Sequence, residues 1–103
     1  MLSALDAGIA GLRAAETRAS VRAQNIVNWL SADYRPLVPQ QTTGASGEPI
    51  VKVTRVQVAG SFPAVDLAGE LVDLRFAKHA YQASAAVIRA ADEMSKTLLD
   101  TFA

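Results

Sequence analysis

A long apolar stripe in the last third of the chain constrains the fold most strongly. Between Val65 and Phe102, apolar residues recur at steps of three and four: Leu67, Leu71, Leu74, Tyr81, Ala85, Ile88, Leu98 and Phe102. This spacing predicts one helix with an apolar face. Asp66 stands where its carboxylate caps the helix start, and an unbroken helix over 65–102 would be roughly 55 Å long. Such a rod cannot bury its stripe by folding on itself, so the rest of the chain or other chains must cover it.

A second, heptad-like seam occupies the start of the chain and predicts a helix over residues 1–31. Its apolar positions again step by three and four: Leu2, Leu5, Ile9, Leu12, Ala19, Ala23, Ile26 and Leu30. Glu16 interrupts the series. Gly8 and Gly11 also lie within it, and each costs about 1 kcal/mol relative to alanine in a helix. Fraying near the terminus and close approach of another backbone explain these glycines equally well.

Residues 32–64 break both patterns. The first helix is followed by residues that end helices: Ser31, Asp33, Pro36 and Pro39. Gln40–Glu48 reads as a polar loop, whereas the β-branched alternation of Ile50–Val58 predicts a strand. Tyr34–Val38 is expected to be the partner strand of a small hairpin. A two-stranded hairpin is marginal alone, so it must rest on the helices or on another molecule.

Together these elements predict a mainly α fold in a single domain, residues 1–103, whose two long terminal helices form an antiparallel, coiled-coil-like pair. The expected divisions are a helix over 1–31, a loop with short β-strands over 32–64, and a helix over 65–102. The first helix carries Arg13, Arg18 and Arg22 off its seam, and the second is richer in acids. Exposed ion pairs contribute only about 0.2–1 kcal/mol each, so burial of the stripes should dominate.

Composition argues against several kinds of partner. The formal net charge is +0, the isoelectric point is near 6.5, and the arginines are dispersed, which argues against a nucleic-acid partner. The chain contains no cysteine, so disulfides and thiolate metal sites are excluded. His79 is the single histidine, which is too few ligands for a metal site. We therefore expect no metal, no cofactor and no small-molecule substrate.

No catalytic constellation is evident either. The serines do not form a nucleophile elbow, and no glycine-rich segment has phosphate-loop spacing. Asp92 and Glu93 are adjacent, which puts them about 100° apart on a helix, so they read as a solvated face rather than a catalytic pair. Trp29 and Tyr81 are most simply core or interface anchors. The sequence predicts that the protein is not an enzyme.

The amino terminus lacks the basic region and continuous apolar core of a cleavable signal peptide. No apolar run reaches transmembrane length. We therefore expect a protein that is made soluble in the cytoplasm. If it leaves that compartment, it must use an export route without signal cleavage.

Two motif sets resemble the bacterial flagellar rod and hook proteins. The amino-terminal set comprises Gly11-Leu12-Arg13-Ala14-Ala15, Ala23-Gln24-Asn25-Ile26-Val27-Asn28 and Tyr34, similar to S-G-L-x-A-A, N-I-A-N and N-T-P-G-[FY]. The carboxy-terminal set begins with Val65-Asp66-Leu67-Ala68-Gly69-Glu70-Leu71-Val72-Asp73-Leu74, similar to V-D-L-A-E-E-[LM]-V-x-L. It continues with Ala80-Tyr81-Gln82-Ala83-Ser84, Val87-Ile88, Ala91-Asp92-Glu93-Met94 and Leu98-Leu99-Asp100. The two sets lie in the family's order and together cover about two thirds of the chain.

The resemblance implies an axial subunit of the flagellar basal-body rod. Members of the family are exported unfolded through the flagellar type III apparatus without signal cleavage, and their terminal helices pack as coiled coils lining the channel of the rod. The implied partners are other rod and basal-body proteins and further copies of the chain. Because no large domain separates the helices, the resemblance favours the proximal rod over the hook.

Helix–helix and assembly contacts are then expected at the large apolar residues of both helices. These are Leu5, Ile9, Leu12, Ile26, Trp29, Leu30, Leu67, Leu71, Leu74, Tyr81, Ile88, Leu98 and Phe102.

The sequence departs from the family's pattern at three places. Leu30-Ser31-Ala32-Asp33 replaces Asn-Thr-Pro-Gly, so the residues that impose the family's sharp turn are missing. His79 stands in place of arginine, and Ser84 in place of asparagine. These departures leave room for an alternative function, a soluble helical adaptor or chaperone-like module of flagellar ancestry, and the altered turn is the feature most favourable to it. Such a module would be a stable monomer or a closed dimer with its stripes satisfied.

Overall fold

The computed structural model describes residues 3–57 and 60–102. Two helices, α1 (Ala4–Val27) and α2 (Leu67–Phe102), flank a two-stranded antiparallel hairpin formed by β1 (Leu37–Thr43) and β2 (Pro49–Arg55). The helices run antiparallel, since Gly8 near the start of α1 lies against Ile88 in the second half of α2. The predicted mainly α fold is therefore confirmed. The predicted seam position Leu2 and the predicted strand end Val58 lie outside the described residues.

Helix α1 ends at Val27, earlier than the expected boundary at residue 31. The side chain of Asn28 donates a hydrogen bond to the carbonyl of Gln24 at 2.9 Å and accepts one from Ser31 at 3.1 Å. An asparagine that bonds to nearby backbone competes with helix continuation. At its other end α1 is capped by Ser3, whose Oγ accepts from the N–H of Asp6 at 3.1 Å.

Helix α2 is unbroken over 36 residues and is therefore about 54 Å long. It begins close to the predicted boundary at residue 65. Asp66 caps it as expected, because its Oδ1 accepts from the N–H of Gly69 at 3.3 Å. Glu70 adds negative charge to the first turn, where the helix dipole favours it.

The hairpin differs from the expected strands in position. β1 begins after Tyr34 and continues through Thr43, which is part of the predicted polar loop, and the chain turns over Gly44–Glu48. Gly47 has a φ of 87°, a left-handed conformation that glycine adopts without strain. The residues of β1 from Gln40 to Thr43 are exposed, so polar side chains carry no penalty there and the sequence of this half of β1 shows no apolar alternation. The hairpin rests on α1, and in the described residues neither strand contacts α2.

Small residues form the contact between the two helices. Among the described residues, the buried apolar side chains are Ala14, Ala15, Val21, Val65 and Ala77. A Cβ added to Gly8 would lie 2.6 Å from Ile88 Cγ1 and 3.4 Å from the carbonyl oxygen of Ser84. A Cβ on Gly11 would lie 2.5 Å from Ser84 Oγ. Close approach of another helix, rather than fraying, therefore accounts for both glycines.

The molecule is a thin, elongated slab. It measures 64 × 25 × 13 Å, and its radius of gyration is 17.8 Å, whereas a compact chain of this length would have a radius of about 13 Å. Its accessible surface is 7086 Å², compared with about 5600 Å² for a compact protein of this mass. A slab of this thickness has no room for a core of large side chains, which explains why the buried apolar residues are few and small.

The turn after α1 keeps a glycine-like conformation although it contains no glycine. Asp33 has a φ of 58° and is the single non-glycine residue with positive φ in the described part of the chain. It stands where the resembled family has glycine. Aspartate tolerates the left-handed region better than most residues. The sharp turn is therefore present, and it is closed by a hydrogen bond from the N–H of Tyr34 to the carbonyl of Ser31 at 3.4 Å.

Replacing Asp33 with glycine is expected to raise the free energy of unfolding by about 0.5–1 kcal/mol, because glycine adopts this φ without a Cβ clash. Ala32 does not have a positive φ. The matched control Ala32→Gly should lower the free energy of unfolding by about 0.4–1 kcal/mol, since it only loosens the unfolded chain. Urea unfolding followed by circular dichroism measures both. Equal destabilisation by the two variants would contradict a strained turn at Asp33.

Candidate assembly site

A polar junction lies where α1, the start of β1 and α2 meet, and Asn25 is its centre. Asn25 is fully buried. Its Nδ2 donates to the carbonyl of Leu37 at 2.8 Å and to Glu70 Oε1 at 3.1 Å. Its Oδ1 accepts from the N–H of Leu37 at 2.9 Å and from the hydroxyl of Tyr34 at 2.7 Å. One side chain thus satisfies its hydrogen-bonding capacity and links three elements.

Arg22 completes the junction from the same face of α1. Its Nη1 lies 3.2 Å from both carboxylate oxygens of Glu70, and its Nη2 lies 3.2 Å from Asp73 Oδ2. Glu70 is only 8% exposed. Because a buried charge without a partner is destabilising, its carboxylate requires the guanidinium of Arg22. Although Arg22 is not one of the apolar seam positions, it reaches α2 through these ion pairs. Residues 22 and 25 are three apart and share a helix face, so both side chains reach the junction.

The family-motif residues have different positions in the structure. Asn25, Tyr34 and Glu70 meet in the polar junction although Asn25 and Glu70 are 45 residues apart. Gly11 lies in the helix contact, and Leu12 is half-buried. The remaining motif residues are not gathered into a site: Asn28 and Asp66 bond locally at helix ends, whereas Gln82, Asp92, Glu93 and Met94 lie exposed along α2. Asp92 pairs with Lys96 at 3.2 Å on the solvent side.

The residues predicted to form the helix and assembly contacts divide into two groups. One group is half-buried along the molecule: Ile9, Leu12, Ile26, Trp29, Leu67, Leu74 and Ile88. The other group is exposed: Leu5, Leu30, Leu71, Tyr81, Leu98 and Phe102. The exposed group contributes little to the contact within the chain. Its role in assembly stays a prediction.

An open apolar groove of about 590 Å³ runs between the helices on one side of the slab. Its floor is formed by Ala15, Ala19, Leu71, Leu74, Ala77 and Tyr81. Glu16 stands at one rim, and Arg75 and Lys78 stand at the other. The groove thus combines an apolar floor with charged edges, which is the arrangement that suits an amphipathic helix.

A second exposed apolar surface on α2 was predicted only at its carboxy-terminal end, by Leu98 and Phe102. We call it the outer stripe; it comprises Val72, Phe76, Ala80, Ala83, Val87, Ala91, Met94, Leu98 and Phe102. Val72 is 52% exposed, Phe76 63%, Val87 43% and Met94 67%. These positions also step by three and four, but the stripe winds around α2, so that Val72 and Phe102 lie about 120° apart. The apolar steps of three and four are present in the sequence. However, α2 contains so many apolar residues that more than one set of positions has this spacing.

The remaining surface shows no chemical site. Within residues 3–57 and 60–102, no group of three or more histidine, aspartate or glutamate side chains is arranged to hold a metal ion. His79 lies exposed on α2. Among the described helices, none has the length and apolar character needed to cross a bilayer.

Comparison with known families assigns the carboxy-terminal part of the chain. Residues 61–101 match the family model described as flagellar basal body rod FlgEFG protein C-terminal. The match covers nearly all of α2 and the turn before it. No curated protein matches the chain. The family is a structural component of the flagellum rather than an enzyme family. Residues 61–101 are therefore similar to the carboxy-terminal part of flagellar basal-body rod proteins, in agreement with the motifs of that segment.

Proposed function

We propose that this protein is a structural subunit of the bacterial flagellar basal-body rod and that it assembles through its two helices. The observation that carries the proposal is the distribution of side chains on α2. Small residues such as Ala77 and Ser84 face α1, whereas Leu71, Tyr81 and Met94 are exposed. Large apolar side chains that stay exposed on α2 are available for contacts with neighbouring molecules.

The exposed area is sufficient for such contacts. The accessible surface of 7086 Å² exceeds that of a compact protein of this mass by about 1500 Å². A standard protein–protein interface buries about 800 Å² on each partner. The excess thus corresponds to about two standard interfaces, as expected for a subunit with neighbours on both sides.

The location and partners follow from this role. We infer that the subunit resides in the rod of the basal body and contacts other rod proteins and further copies of itself. Export through the flagellar type III system without signal cleavage is what the family resemblance implies for such a subunit. Only a small hairpin separates α1 from α2, which favours a position in the proximal rod.

Replacing Tyr81 with aspartate is expected to abolish association through the groove. Tyr81 lines the groove and is 41% exposed, so the chain should still fold, but a bound helix would bury an unpaired carboxylate. We expect the dissociation constant to rise at least about tenfold, which corresponds to about 1.4 kcal/mol. Sedimentation velocity over a concentration series measures it. The control Gln82→Asp adds the same charge one residue away, outside the groove lining, and should associate normally. Normal association of Tyr81→Asp would exclude the groove as the interface.

The alternative function, a soluble adaptor of flagellar ancestry, was favoured by the altered turn after Asn28. Asp33 takes the left-handed φ that a glycine would take, so the altered turn no longer argues for a different fold at this point. The adaptor predicts a monomer or closed dimer at all concentrations. Open-ended growth in sedimentation would contradict it.

A further inference from the structure

We propose that copies of this chain stack front to back, with Phe76 of one copy inserted into the groove of the next. The front is the side of the slab that carries the groove, and the back is the opposite side. The proposal deepens the proposed function and rests on it, since it names a second copy as the occupant of the groove. The contact joins different surfaces of the two copies, so it propagates and does not close at two molecules.

Phe76 lies on the back of α2, level with the centre of the groove. It is 63% exposed although its side chain is large and apolar. The groove residues of α2 run from Leu71 to Tyr81, and position 76 is midway between them. At 100° per residue, Leu71 and Tyr81 each point about 140° away from Phe76. A second copy placed on the front in the same orientation therefore brings its Phe76 over the middle of the groove.

The groove suits an aromatic side chain. Its volume is about 590 Å³, within the range of about 300–1,000 Å³ for pockets that bury small organic molecules. Ala15, Leu74 and Ala77 give it an apolar floor. An aromatic side chain buries about 150–250 Å², and such residues are typical anchors at the centre of protein interfaces. Insertion of Phe76 would bury a large apolar side chain and fill the groove at the same time.

Two charges on α1 favour the same stack. Glu16 is exposed at the groove rim, on the front. Arg18 points about 200° away from Glu16 around α1, and thus to the back, but the two residues are only about 3 Å apart along the helix axis. Stacking without displacement along that axis therefore brings Glu16 of one copy to Arg18 of the next.

Arg18 lacks a partner within its own chain. Among the residues that the structure describes, its Nε is buried and makes no hydrogen bond. Arg22, one helical turn later, instead binds Glu70 and Asp73. A buried donor without an acceptor is destabilising. A carboxylate from a neighbouring copy would give the Arg18 guanidinium a charged acceptor.

The aromatic and the charged contacts are compatible with one arrangement. Packed helices have axes about 8–10 Å apart, so a sideways shift of the second copy by about 4–5 Å centres its α2 over the groove. Arg18 lies about 40° from Arg22, which faces α2, so the same shift places Arg18 over α1 of the first copy, where Glu16 stands. The slab face measures 64 × 25 Å. A contact over half of it reaches the roughly 800 Å² per partner of a standard interface.

Reversing the two charges in separate chains tests the stack. Glu16→Arg and Arg18→Glu each place like charges at every contact, so each chain alone should associate at least about tenfold more weakly. An equimolar mixture of the two should recover open-ended growth in sedimentation velocity, because each contact between unlike chains joins opposite charges. Circular dichroism verifies that both variants are folded. Failure of the mixture to grow, or normal growth of either variant alone, would overturn the proposal.

Phe76→Asp tests the aromatic contact independently. It would bury an unpaired carboxylate in the groove of the next copy and should weaken association at least about tenfold. The matched control is Phe62→Asp, since Phe62 is also 63% exposed but lies before α2 and outside the groove lining. This control should associate as the natural chain does. Normal association of Phe76→Asp would contradict the stack.

Mixing Phe76→Asp with Tyr81→Asp tests the direction of the stack. The first variant keeps an intact groove and the second keeps an intact Phe76, so one good contact can form between them. The mixture should form dimers with one copy of each variant and grow no further. Absence of this dimer would overturn the proposal.

Failure of the stack is distinguishable from failure of the rod function. If Tyr81→Asp prevents association but Phe76→Asp does not, the groove binds another segment or another protein, and the stack is wrong. A natural chain that is monomeric at every concentration also overturns the stack. Presence of that chain in purified basal bodies would still support the rod function.

Discussion

Replacing Asn25 with alanine is expected to lower the free energy of unfolding by about 3–5 kcal/mol, because it leaves several buried polar groups without partners. The N–H and C=O of Leu37, the hydroxyl of Tyr34 and one donor to Glu70 all depend on this side chain. A small domain has a total stability of only about 5–15 kcal/mol. Most of the cooperative urea transition, followed by circular dichroism, should therefore be lost.

The matched control is Asn28→Ala in the same segment. Asn28 makes its hydrogen bonds locally and in exposed surroundings, to Gln24 and Ser31. Water can replace such hydrogen bonds, so we expect the free energy of unfolding to fall by only about 0.5–1 kcal/mol. If the two variants unfold at the same urea concentration, the polar junction does not hold the three elements together.

Replacing Gly8 with leucine is expected to cost about 3 kcal/mol of stability, because the added side chain forces α1 away from α2. Even the Cβ would lie 2.6 Å from Ile88 Cγ1 and 3.4 Å from a backbone oxygen, so rotation of one side chain does not make room. The gain in helix propensity, about 1 kcal/mol, does not offset this cost. Thermal unfolding by circular dichroism measures the effect.

Two controls separate crowding from general disturbance of the helix. Ala7→Leu places the same side chain on the exposed neighbouring position and should change stability by less than about 0.5 kcal/mol. Gly8→Ala should be less destabilising in an Ile88→Ala background than in the natural one, since the atom it meets is gone. An unchanged Gly8→Leu transition would mean that the helices separate easily here and that the glycines are not needed for packing.

The elements of this fold could be predicted from the sequence because each helix has a clear periodicity. The start of α2 followed from Asp66 and the apolar steps, and capping by Asp66 was confirmed. The end of α1 could not be placed from periodicity, since Trp29 and Leu30 continue the apolar pattern while the side chain of Asn28 ends the helix. Local side-chain hydrogen bonds decided that boundary.

The orientation of α2 was harder to predict than its existence. Three sides of the helix carry apolar residues, and hydrophobicity alone favours burial of the largest ones. In the structure, Ala77 and Ser84 face α1, because Gly8 and Gly11 allow the backbones to approach. The pairing of glycines in α1 with small residues in α2 would have predicted the orientation of α2 better than hydrophobicity. Most of the outer stripe was missed for the same reason.

The polar junction could not have been found from periodicity. Asn25 is not one of the apolar seam positions, and its partners Tyr34 and Glu70 lie 9 and 45 residues away in the chain. The family motifs singled out all three residues without indicating that they meet. Arg22 belongs to no motif quoted for the family, so only the structure adds it to the junction.

Mass spectrometry of purified hook–basal bodies from the source organism tests the rod function most directly. Our account predicts that the chain is present at a stoichiometry comparable with that of known rod subunits. It also predicts that a Tyr81→Asp chain, expressed at the same level, is depleted from the particles. Absence of the natural chain from the particles, with the protein still expressed in the cell, would contradict the account and favour the soluble adaptor.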